Sequence, residues 1–156
     1  MNTEIGISES NRSAVVAELS KLLADEFLLY TKTRNAHWNV EGPDFHSMHV
    51  FFESQYEDLE EVVDSVAERI RKLGHYAPAT FAEYLQLTHL TEKSDRKNDS
   101  AGFLKDLLAD HESIIIFLRE NIEPFASKYK DAGTSDFITG LMEKHETFAW
   151  MLRAHL

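Results

Sequence analysis

Between Arg34 and Arg69 the chain has no lysine or arginine, yet it carries His37, Glu41, Asp44, His46, His49, Glu53, Glu57, Asp58, Glu60, Glu61, Asp64 and Glu68. Imidazole and carboxylate without compensating cations are donors suited to hard or borderline divalent metals. His49 and Glu53 stand four apart, as do Asp64 and Glu68, the spacing at which two side chains on a helix can reach a common point. On a wheel of about 100° per residue with His49 at zero, Glu53 falls at about 40°, Asp64 at about 60° and Glu68 at about 100°. All four share one face, bordering the apolar stripe of Phe45, Met48, Phe52, Tyr56, Leu59, Val63, Val66 and Ile70.

One chain cannot close this set, because the two pairs lie about 22 Å apart along a helix. They are, however, symmetric about a point between Asp58 and Leu59: 49 mirrors 68 and 53 mirrors 64. An antiparallel copy across a two-fold axis would set His49 and Glu53 of one subunit opposite Asp64 and Glu68 of the other. His37 can join them from the end of the preceding helix. Two imidazoles and three carboxylates suit iron or a similar divalent metal better than a closed tetrahedral zinc site. Acids on a long helix usually form a solvated face, and Asp64 with Glu68 alone would be read that way. A lone histidine near a helix end is commonly a cap. The conjunction of the basic-free window, the single face and the two-fold arithmetic favours an intersubunit metal site; Glu57, Asp58, Glu60 and Glu61 are left as solvated face.

Helices must position these groups. Val15, Val16, Leu19, Leu22, Leu23, Phe27 and Tyr30 recur at helical steps, which predicts a helix from Ser13 to about Trp38 after a short, loosely ordered arm over residues 1–12. Asn39 to Pro43 breaks it, Asp44 is placed to cap a second helix, and Gly74 stops that helix after Leu73. The long connection from His75 to Ser100 holds one local element, a capping box Thr80-Phe81-Ala82-Glu83 that predicts a short helix through about Gln86. Thr91 to Ser100 reads as an exposed loop. A third long helix from about Phe103 is predicted to end at Pro124, and a fourth starts at about Ser135. The sequence therefore predicts an all-α four-helix bundle over residues 13–156, with a short extra helix in the connection between helices 2 and 3.

The whole chain has 156 residues, a net charge of -11 and no cysteine. That length can bury about two-thirds of the unfolded surface. The acidic balance argues against a nucleic-acid-binding body, and without cysteine there is neither a disulfide framework nor a thiolate site. Nothing in Met1 to Asn11 resembles a signal peptide and no apolar run approaches the roughly 18 residues of a membrane span, so a cytoplasmic protein is expected.

The run His37-Trp38-Asn39-Val40-Glu41-Gly42-Pro43, then Phe45, His49, Glu53, Asp64 and Glu68, with Ala67-Glu68-Arg69-Ile70 leading into Leu73-Gly74, resembles the Dps-type mini-ferritins. The resemblance covers nearly the whole chain, including the short helix after Thr80. It implies a ferritin-like bundle assembled as a hollow shell of twelve subunits, with a ferroxidase centre of one or two irons at the two-fold interface. His37, His49 and Glu53 would come from one subunit, Asp64 and Glu68 from its neighbour. Fe(II) would be oxidised, with hydrogen peroxide as the preferred oxidant, and stored as Fe(III) mineral. Trp38 resembles the family's tryptophan beside the centre, where electron transfer and simple packing are both open roles. Asp131 and Asp136 flank Gly133 where the family often lines an iron-entry pore, although acids favour a helix N-terminus in any case.

Two departures stand out: position 53 is Glu where many members carry Asp, and the Glu-x-x-His pairs of larger di-iron bundles are missing. His46, His75, His89, His111, His145 and His155 show no partner spacing and read as surface or packing residues. Competing readings are a DNA-binding nucleoid shell with little oxidation, and a structural helical oligomer. Members that condense DNA typically use a lysine-rich tail, which neither Met1–Asn11 nor the end at Met151–Leu156 supplies. Duplex DNA is therefore expected to run unretarded with this protein in a gel-shift assay. Any low-salt retardation should vanish with modest salt; retardation that survives would favour the nucleoid reading.

Overall fold

The computed structural model describes residues 3–93 and 95–156. Met1 and Asn2 of the expected arm, and Ser94 of the expected loop, lie outside the described residues. The first helix, α1, runs Glu9–Asn39 and is capped by Ser8, whose hydroxyl accepts from the Asn11 N–H at 3.3 Å. It starts four residues ahead of the expected Ser13, because the cap and the first-turn acid Glu9 favour a helix N-terminus without contributing to any apolar stripe. The expected arm is correspondingly shorter. Arg12 ties its described part down by donating to the carbonyls of Thr3 and Ile7.

Helix α2 spans Phe45–Lys72. Asp44 holds the N-cap position but makes no cap bond with its side chain; its Oδ2 accepts instead from the Ser100 hydroxyl at 2.6 Å. Gly74 stops the helix with φ 90°, and a Cβ there would lie 2.3 Å from Thr3 Oγ1, so both conformation and space call for glycine. The short helix α3, Phe81–Leu87, carries both bonds of the Thr80–Glu83 capping box. Helix α4 spans Ser100–Glu123. Helix α4 stops at Glu123 with Pro124 as its C-cap, as expected, and the chain then continues through a π-helical turn, Pro124–Lys128, since proline at the head of a turn forfeits only one N–H. Helix α5 spans Ala132–Arg153, three residues earlier than the expected Ser135 because Asp131 caps it. Among the described residues these five α-helices and the π turn are accompanied by no strand, only an isolated bridge between Glu41 and Asp99.

The long helices pack as α1 on α2 and α4 on α5, with α1 also meeting α3 and α4, and α2 meeting α5. Fully buried Leu19, Leu22, Leu29, Phe52, Leu59, Phe103, Leu107 and Ile114 fill the centre, each contributing roughly 1.5–3 kcal/mol of burial. Helix α1 is buried on two sides and takes charged groups inside with it: Asp25, Glu26 and Lys32 are all buried. Each has partners. Asp25 accepts from the Thr88 hydroxyl at 2.6 Å and the His89 N–H at 2.7 Å, while Lys32 donates to Thr91 O at 3.1 Å and pairs with Asp106 and Asp110. The long connection is thereby tethered to α1 just after the short helix.

Glu26, His145 and His111 form a polar chain across α1, α5 and α4. His145 Nε2 lies 2.8 Å from Glu26 Oε1, His111 Nδ1 lies 2.9 Å from His145 Nδ1, and all three residues are 0% exposed. Both histidines are packing residues, as the sequence suggested, but they are paired with each other and with a carboxylate. Burial, helped by the neighbouring His145, pushes the His111 imidazole well below its usual pKa. The unfolded chain then binds the extra proton first, so this group's contribution is present above about pH 6.5 and lost as pH falls. Urea unfolding between pH 7.5 and 5 should show stability declining with acid, with up to about 1.4 kcal/mol per pH unit from this site. A His111→Gln variant should show a flatter decline.

Candidate metal centre

The turn between α1 and α2 fixes the first half of the candidate site. Gly42 supplies φ 134° there, a value side chains rarely adopt. The Glu41 N–H donates to Asn98 O at 2.8 Å, and together with the Asp44–Ser100 bond this anchors the turn to the start of α4. Helices α1 and α2 therefore return alongside each other, with His37 in the last turn of α1 and His49 near the start of α2.

The two imidazoles stack with centroids 3.7 Å apart and planes at 20°. Each ring is held by the other residue's main chain: His37 Nδ1 donates to His49 O at 2.8 Å, and His49 Nδ1 donates to His37 O at 2.7 Å. A carbonyl can only accept, so both Nδ1 atoms carry hydrogen, and in the neutral form of each ring the Nε2 lone pair is the one left free. This is the tautomer a histidine needs in order to bind a metal through Nε2, with the second nitrogen fixed by a backbone partner. His37 is 8% exposed and His49 is half-buried.

Glu53 follows one turn on and accepts from the Tyr56 hydroxyl at 3.3 Å. The Tyr56 ring meets His37 edge to face at 5.2 Å, and the Arg34 guanidinium lies 4.2 Å from its centroid. Burial, then the Glu53 charge, push the Tyr56 hydroxyl above its usual pKa, so it is a donor at neutral pH. Arg34 also lies 5.1 Å from the Trp38 ring, which is 61% exposed. Trp38 follows His37 in the last turn of α1, contacts Arg34 and is not packed inside this chain.

Asp64 and Glu68 are placed differently. Both are exposed; Glu68 pairs with Lys72 at 3.3 Å, and Asp64 borders a groove lined by Leu23, Phe27, Tyr30, Val63 and Tyr84. Among the described residues no three His, Asp or Glu side chains of the single chain form a group able to hold a metal. The structure brings His37 to His49 and leaves Asp64 and Glu68 about 22 Å further along α2. Asp131 is 2% exposed and committed to the fold: it accepts from the Thr134 N–H at 2.9 Å and pairs with Arg69 at 3.3 Å. Asp136 is exposed, as are Glu57, Asp58, Glu60 and Glu61. Tyr56 and Arg34 were missed as members of this region. Tyr56 was counted in the apolar stripe, and its three-residue step from Glu53 was the available signal.

A family model for the ferritin-like domain matches residues 16–156, so the chain belongs to the ferritin-like family. Its relatives narrow this. It is 35% identical over 142 residues to DNA protection during starvation protein 2 of Bacillus anthracis, covering 91% of this chain and 96% of that one. It is 41% identical over 152 residues to a low temperature-induced protein of Nostoc sp., covering 97% and 85%. The Dps protein of Vibrio cholerae, described as a member of a broad superfamily of ferritin-like diiron-carboxylate proteins, superposes with a TM-score of 0.91 at 30% identity, covering 99% and 96%. Within the ferritin-like family the chain is a Dps-type mini-ferritin.

Replacing the Asp131 cap tests its role in the fold. Asp131→Ala should cost about 1–3 kcal/mol in urea unfolding, from the lost cap and the ion pair left open on Arg69. A variant with unchanged stability but slowed iron uptake would return Asp131 to the pore.

Proposed function

We propose that this protein detoxifies and stores iron, oxidising Fe(II) at centres shared between two copies of the chain. The reciprocal imidazole–carbonyl pair carries the reading: it preforms two free Nε2 donors on one half-site, with the Glu53 carboxylate one turn away. Asp64 and Glu68 are exposed on the same helix, symmetric to that half about Asp58 and Leu59, and would complete the centre from a neighbouring subunit. The ferritin-like and Dps relatives support iron storage and protection in general terms. The finer proposals are a hollow shell of twelve subunits, hydrogen peroxide as oxidant, and mineral Fe(III) as product.

The chemistry is balanced by a pair of irons. Two Fe(II) each give one electron to one hydrogen peroxide, which takes up two protons and leaves as two waters, so no hydroxyl radical is released. The carboxylates favour the ferric product by charge and hardness. Exposed Trp38, next to His37 in sequence, would relay an electron or simply pack against a neighbouring subunit, and exposed Asp136 would line an entry path. No described helix is long and apolar enough to cross a membrane; a cytoplasmic location is part of the proposal.

Anaerobic Fe(II) loading followed by peroxide tests the site. His49→Ala and Asp64→Ala should each oxidise iron far more slowly than wild type, and equal rates would remove the assignment. Mixing the two variants with subunit exchange should restore activity: about half of the dimers are mixed, and one of the two sites in each is intact, giving about a quarter of the wild-type sites. No recovery after demonstrated exchange would exclude a site shared between subunits.

A further inference from the structure

We infer that Tyr56 is a positioning residue for Glu53, seating the longer carboxylate that this chain carries where many Dps-type proteins have aspartate; this rests on Glu53 being an iron ligand. A glutamate reaches about 1.5 Å further than an aspartate and has one more rotor to immobilise, which costs conformational entropy. Glu53 is half-buried, and among the described residues the only hydrogen bond to its side chain comes from the Tyr56 hydroxyl, to Oε1 at 3.3 Å. That donor holds one oxygen and leaves Oε2 for the metal. The bond is long for a hydroxyl donor, so the effect of removing it is expected to be modest.

Tyr56 itself is well held. Its ring stands edge-on to His37 at 5.2 Å and 79°, edge-on to Tyr30 at 6.3 Å and 88°, and beneath the Arg34 guanidinium at 4.2 Å. One side chain therefore touches both an imidazole and the carboxylate of the same half-site. The contacts to the ring fix where its hydroxyl points, and the hydroxyl in turn fixes Glu53. An aspartate at position 53 would draw the carboxylate back along its own stem and out of that reach. The dependence on Tyr56 should accordingly be specific to glutamate.

Four proteins decide it: wild type, Tyr56→Phe, Glu53→Asp and the double variant, with Glu53→Ala as the control for the ligand itself. Tyr56→Phe keeps the ring, the His37 contact and the Arg34 contact and removes only the hydroxyl. Anaerobic titration with Co(II), followed by its visible ligand-field absorption, reads affinity and coordination without turnover. Tyr56→Phe is expected to weaken Co(II) binding about three- to tenfold and to shift the spectrum, with an unchanged melting temperature. In the Glu53→Asp background the same change should leave affinity and spectrum alone. Equal binding by wild type and Tyr56→Phe overturns the inference, as does an equal loss in both backgrounds, which would mean that Tyr56 acts on the site without acting through Glu53. If Glu53→Ala binds Co(II) as wild type does, the ligand assignment falls and the inference falls with it. If Glu53→Ala loses binding while Tyr56→Phe does not, only the inference falls.

Discussion

Two imidazoles, each bonded through Nδ1 to the other's main-chain carbonyl, fix where the first long helix meets the second. Apolar contacts between helices are non-directional and tolerate sliding; these bonds do not. Moving α2 by a single turn, about 5.4 Å, would break both at once and unstack the rings. The bonds also decide chemistry, because a neutral ring that donates from Nδ1 presents an unprotonated Nε2. Register and donor set are therefore settled by the same two contacts. They depend in turn on a short reversal in which Gly42 adopts φ 134° and Glu41 is held by Asn98.

The second requirement is that a connection of more than twenty residues should dock without a core of its own. Helix α3 has no buried residue, so apolar burial cannot hold this stretch alone. Buried charges on α1 supply directional anchors instead: Asp25 accepts from the Thr88 hydroxyl and the His89 N–H, and Lys32 donates to the Thr91 carbonyl. Aromatic contacts from Phe27 to Phe81 and Tyr84 add a small apolar seam. The result leaves the groove beside Asp64 open, and its lining is mostly apolar with an acidic rim.

Much of the fold was legible because helical periodicity and caps are local signals. The capping box at Thr80 and the stop at Gly74 are written within four residues of where they act. The boundary errors have local causes as well: Ser8 and Asp131 extend helices as caps outside any apolar stripe, whereas Pro124 ends α4 where a stop was expected. Asp44 took the right position but turned its carboxylate to Ser100, a residue 56 positions away that no local pattern announces. For the candidate site, residue types and spacing proposed His37, His49, Glu53, Asp64 and Glu68, of which the fold brings His37 and His49 into contact. They could not reveal the tautomer, which depends on backbone oxygens, nor the place of Tyr56, whose apolar ring conceals its hydroxyl from a count of stripes. His111 and His145 lie 34 residues apart on different helices, so their pairing is a property of packing alone.

That buried line of Glu26, His145 and His111 has a consequence for how faulty subunits are disposed of. A misregistered bundle can still bury leucine against leucine, but it strands a carboxylate in hydrocarbon, at about 3–5 kcal/mol. A domain's whole margin is only about 5–15 kcal/mol. Wrongly threaded chains would open far more often than correct ones and present themselves to proteases. The polar line thus penalises a misthreaded bundle in a way that apolar burial alone cannot, and the penalty would be read out as lifetime.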